Sequence, residues 1–181
     1  MYCEKCGHQI EEGSSFCPSC GNVVVPGRVA APAFGMKWYK FLIYFALFAG
    51  AVLNLVNAVP YLTGSIYGED SDLVYGLIDG LQILDKCMGL ALIGRVVLFL
   101  VTRFSLAKYR ENGPKLVVAC YASDIVLSIL YIVGLFVVYN GIVDITEVVN
   151  LSELVMPILV DIAMIVYNVK YFKDREELFV N

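Results

Sequence analysis

Residues 41–59 read FLIYFALFAGAVLNLVNAV, a run without one charged side chain. A bilayer core about 30 Å thick takes ~20 apolar residues to cross as a helix. The run therefore predicts a membrane span, and the other segments of the chain are placed relative to it. Three similar stretches come later: residues 87–102, apolar apart from Arg95; residues 116–139, apolar apart from Asp124; and residues 154–169, apolar apart from Asp161. None alternates with period two, so barrel strands do not fit. With their flanking turns the expected spans are about 38–59, 82–103, 115–139 and 151–171. Composition agrees. The 181 residues are 59% hydrophobic and 17% charged, with mean hydropathy +0.73, against ~45–50% and ~25% in soluble domains. That balance argues against a soluble fold and against disorder.

Basic residues fix the expected orientation. Arg28, Lys37 and Lys40 precede the first span. Arg103, Lys108, Arg110 and Lys115 lie between the second and third, and Lys170, Lys173 and Arg175 follow the fourth. The other side holds Lys86 against Glu69, Asp70, Asp72, Asp79, Asp85, Asp144, Glu147 and Glu153. The expectation is an integral membrane protein with both termini cytoplasmic. Trp38, Tyr39, Tyr109, Tyr171 and Phe172 fit an inner aromatic belt, and Tyr61, Tyr67 and Tyr139 an outer one.

The connections carry their own signals. The first run is expected to stop at Pro60. Asn112-Gly113-Pro114 predicts a left-handed cap followed by a proline-started helix. Asn140-Gly141 predicts a stop, and Asn150 with Glu153 a capping box. Leu73, Leu77, Leu81 and Leu84 share one helical face, so residues 73–84 form either an interfacial helix or an outward extension of the second span. With no proline between Leu73 and Thr102, extension is the expectation.

The first twenty residues are of another kind. Cys3-x2-Cys6 and Cys17-x2-Cys20 are two tight turns, each aiming two sulfurs at one point, as a tetrahedral zinc ion requires. Gly7 and Gly21 follow the second cysteine of each pair, where the turn needs unusual backbone angles. Ile10 and Phe16 are the sizeable apolar residues between the pairs, enough for a miniature core. The alternatives are two disulfides or a redox dithiol, and the latter would need a βαβ fold for which there is no room. This stretch resembles the short N-terminal zinc ribbons of prokaryotic proteins that often precede membrane segments. The matching residues are Cys3, Cys6, Gly7, Ile10, Gly13, Phe16, Cys17, Cys20 and Gly21. The resemblance ends at about residue 21.

Four thiolates fill a zinc shell, so His8 is expected to stay solvated and the site to be structural, with no open position for chemistry. So short a segment would take its folding energy from the metal. Residues 1–22 have a side-chain balance of −2 (Glu4, Glu11 and Glu12 against Lys5). The ion with its thiolates adds about −2. That argues against nucleic acid as a partner, as does the net charge of −4. A protein contact or a structural cap is the better expectation.

Depth counting singles out three charges. Arg95 is eight residues before Arg103, about 12 Å along a helix. Asp124 is nine after Lys115 and Asp161 nine before Lys170, each about 13–14 Å. An unpaired charge at such depth costs at least ~2.5–3.5 kcal/mol. An Arg95–Asp124 or Arg95–Asp161 ion pair, or a three-way cluster, is therefore expected. Asn54 and Asn57 are expected to bond between helices, and Cys87 and Cys120 to fill small packing sites. No phosphate loop or hydrolase constellation is present: Gly89-x4-Gly94-Arg95 lacks the lysine and hydroxyl, and the one histidine sits in the ribbon.

The sequence thus predicts an all-α membrane protein: a ribbon over residues 1–22, a tether over 23–36, four transmembrane helices over 37–172 and a cytoplasmic tail over 173–181. The β-hairpin or knuckle of the ribbon would be its one non-helical domain. The expected role is non-enzymatic, a scaffold or regulator that recruits a cytosolic protein. The alternative is a small transporter or channel subunit using the Arg95, Asp124 and Asp161 cluster, which with four spans would be a homo-oligomer.

Overall fold

A computed structural model describes residues 8–11, 14, 16–21, 36–139 and 151–179. The chain forms two compact units, Met1–Trp38 and Tyr39–Asn181.

In the first unit, Gln9 and Phe16 occupy isolated β-bridge positions and residues 18–20 form a turn. Ile10 and Cys17 are buried together, with Cys20 packed against them. Phe16 does not join this core. It is 61% exposed, because its bridge position turns the ring away from Ile10. Among the described residues the miniature core is thus Ile10 with Cys17 and Cys20.

The described residues of the second unit form helices joined by short turns. Helix α1 (Lys37–Phe41) runs through a π-helical turn (Leu42–Ala46) into α2 (Leu47–Thr63). A 3-10 segment (Ser65–Asp70) leads to the short α3 (Ser71–Leu77). Then come α4 (Leu81–Ala107), α5 (Gly113–Val138) and α6 (Leu151–Lys173), and a last 3-10 turn (Glu176–Leu178). Four helical stretches are long and apolar enough to cross a membrane. Packing follows chain order: α4 lies between α2 and α5, and α6 packs on α5. Glycines let these helices approach. A Cβ on Gly89 would stand 2.7 Å from Leu62 of α2, and one on Gly134 would overlap the Leu84 side chain of α4. Small residues at helix crossings bring backbones close enough for dispersion forces to act.

The π-helical turn has a visible consequence. Widening the backbone spiral displaces carbonyls from the regular ladder, and Arg103 of α4 donates from Nε to the Ile43 carbonyl at 3.1 Å.

Several connections differ from the sequence reading. Pro60 does not end the first run. The helix continues to Thr63, whose hydroxyl donates to the Val59 carbonyl, and Gly64 closes it by donating to the Pro60 carbonyl. Residues 73–84 are not one extension of the second span. They break at Ile78–Gly80, where Gly80 takes φ +87° between α3 and α4. The leucine periodicity runs across this break and so hid it. The left-handed residue between α4 and α5 is Tyr109, φ +52°, while Gly113 is helical. Gly113 is required for a different reason: its Cβ would meet the Leu106 backbone at 3.3 Å. The Asn140-Gly141 stop, and Asn150 of the capping box, lie outside the described residues.

Candidate functional site

In the ribbon, Cys3 and Cys6 also lie outside the described residues. The second pair is built as a metal knuckle needs. Cys17 is 2% exposed and Cys20 is half-buried. The Gly21 amide donates to the Cys17 carbonyl at 2.9 Å, and Gly21 takes φ +68°. A side chain there would strain that backbone. His8 is exposed, consistent with a residue outside the ligand set. Two thiols held on one turn, soft and deprotonable donors, suit zinc. Among the described residues no group of three or more metal-ligating side chains comes together.

In the helical unit Arg95 and Asp124 form an ion pair between α4 and α5. Arg95 is 9% exposed and the Asp124 side chain 33%. The guanidinium also donates from Nη2 to the Cys120 carbonyl at 3.5 Å and lies 5.6 Å over the Phe99 ring. Its Nε has no hydrogen-bond partner among the described residues. Asp161 on α6 forms no ion pair among the described residues. The three charges therefore give one direct pair, Arg95 with Asp124. Cys120 is buried next to this pair. Its thiol faces Thr102 Oγ1 at 3.3 Å, whose own proton goes to the Leu98 carbonyl at 2.7 Å. Cys87 is exposed on α4 and does not fill a packing site.

Asn54 and Asn57 show no hydrogen bond between helices among the described residues. Asn54 donates to the Gly50 carbonyl of its own helix at 2.8 Å, and Asn57 is exposed. Of the two, only Asn54 is buried.

Two features at the ends of the helical unit escaped the sequence reading. At one end Tyr39 donates from its hydroxyl to the Leu106 carbonyl at 2.6 Å, and its amide donates to the Tyr171 hydroxyl at 3.2 Å. Phe179, 5% exposed, packs on Tyr39, Tyr109 and Phe172. Arg175 stacks 3.8 Å over Tyr171 and donates to its carbonyl, a cation at a helix C-terminus. The tail thereby ties the start of the first helix to the end of the last. At the opposite end Asp85, in the first turns of α4, is fully buried. It accepts hydrogen bonds from Tyr131 on α5 (2.8 Å) and Tyr75 on α3 (3.1 Å). Tyr61 packs edge-to-face on Tyr131, and Tyr67 on Tyr75. In the sequence Asp85 stands only as one of the acidic residues of the outer side. The density of tyrosine at the same helix ends was the available signal.

Comparison with known proteins bears on the N-terminus. Residues 2–24 match the zinc-ribbon domain, which spans both CxxC pairs. No curated protein and no solved structure matches the chain. The class shown is a chain with an N-terminal zinc-ribbon domain ahead of four long apolar helices.

Proposed function

We propose that this is an integral membrane protein, of a bacterial plasma membrane, in which four spans anchor a cytoplasmic zinc ribbon that recruits a cytosolic protein. The role is non-enzymatic. The observation that carries it is the zinc-ribbon match at residues 2–24, ahead of a helical unit in which Arg95 is paired with Asp124. A direct ion pair with Arg95 buried suits a structural contact between α4 and α5. The ribbon would hold Zn2+ through Cys3, Cys6, Cys17 and Cys20, a full shell that supplies folding energy. Its acidic balance favours a protein partner over nucleic acid. The basic residues at the Tyr39 end of the bundle support placing both termini in the cytoplasm.

Affinity capture from cytosol with the full-length chain in detergent tests recruitment. The expected result is a defined protein partner that is lost on treatment with a zinc chelator. A captured set unchanged by the chelator would contradict the proposal.

A further inference from the structure

We propose that the end of the helical unit remote from Tyr39 binds a monovalent metal cation, Na+ or K+, between the Asp85 carboxylate and the oxygens of the surrounding tyrosines. The inference goes beyond the ribbon and does not depend on it. Asp85 has no exposed surface. The ion pairs among the described residues are Arg95–Asp124 and Lys115–Glu111, so none serves Asp85. Lys86, its neighbour in sequence, is exposed. A buried carboxylate held only by neutral donors keeps most of its desolvation cost, and a counter-charge offsets it.

The donors around it are suited to coordinate one. Tyr75 and Tyr131 give their hydroxyl protons to opposite oxygens of Asp85. A hydroxyl that has donated its proton still carries two lone pairs. Neither hydroxyl accepts a hydrogen bond among the described residues. Tyr61 packs on Tyr131 and Tyr67 on Tyr75, so phenols from α2, the 3-10 segment, α3 and α5 gather at this end of the unit. Charge selects the ion. One carboxylate with neutral oxygens balances a single positive charge, whereas Ca2+ sites gather several carboxylates and Mg2+ keeps its waters. Complete burial excludes a large organic cation.

The test is the unfolding temperature of the purified full chain in NaCl, KCl and choline chloride at one ionic strength. Sodium or potassium should raise it by about 2–4 °C over choline, saturating with concentration. Asp85→Asn should abolish the response, and Tyr131→Phe should shift it to higher ion concentration. If Asp85→Asn does not fold, the wild-type salt series with Tyr131→Phe and Tyr75→Phe decides, because each should weaken the response. Equal stability of the wild type in all three salts would overturn the site. So would a full response in Asp85→Asn. Asp85→Asn as stable in choline chloride as the wild type in its best salt would show a carboxyl kept neutral by a proton, and would also overturn it.

Discussion

Arg95→Leu should lose most of its folded protein, and Asp124→Leu should fare nearly as badly, while the double variant recovers much of the loss. Removing one member of a buried ion pair strands the other in a poorly solvating interior, at about 3–5 kcal/mol. For a chain of this size that lowers the unfolding temperature by roughly 6–20 °C. Total stability of a typical domain is only ~5–15 kcal/mol, so each single variant approaches the threshold for folding. Replacing both groups with leucine removes the stranded charge and leaves an apolar contact between α4 and α5. Asp161→Leu should cost far less, because Asp161 forms no ion pair among the described residues. The yield of monodisperse protein and its unfolding temperature in detergent provide the readout. A double variant no better than the worse single one would show that the pair does not hold the helices together.

The second large effect concerns the metal. Purified protein should carry one zinc per chain by atomic emission. Cys17→Ser with Cys20→Ser should remove it and unfold residues 1–22 while leaving the helical unit intact. The reason is size. Ile10 is the buried aliphatic side chain of the described ribbon residues, and such a core cannot offset the chain entropy of ordering about twenty residues. Structural zinc contributes on the order of 10–16 kcal/mol in comparable peptides. Amide hydrogen exchange should show the ribbon protected in the native protein and fully exchanging in the double-serine variant. The exchange pattern of α2, α4, α5 and α6 should not change. Protection that survives loss of the metal would mean that the ribbon folds by other means.

The long helices were legible because the signal is one-dimensional: a run of apolar side chains either reaches ~20 residues or does not. Charge depth was legible in the same way. Counting from Arg103, Lys115 and Lys170 brings Arg95, Asp124 and Asp161 to one level, and the structure joins Arg95 to Asp124. Height along a helix does not fix azimuth, so the sequence offered both aspartates as partners. Features that depend on azimuth or on a single backbone angle were misread. The break at Gly80 hides inside a continuous leucine period. Asn57 shares a helical turn with Asn54 yet faces outward. Asp85 reads as one of several outer acids until α3 and α5 bring Tyr75 and Tyr131 over it. Phe16 looked like core by its chemistry alone, and the local bridge turned it out.

The central claim is that four spans hold the ribbon on the cytoplasmic face, and topology mapping in intact cells tests it most directly. A reporter that matures only in the cytoplasm is fused after Asn181 or before Met1, and one active only outside the membrane is inserted at Gly68. The account predicts signal from all three placements. A silent reporter at either terminus, or at Gly68, would contradict it.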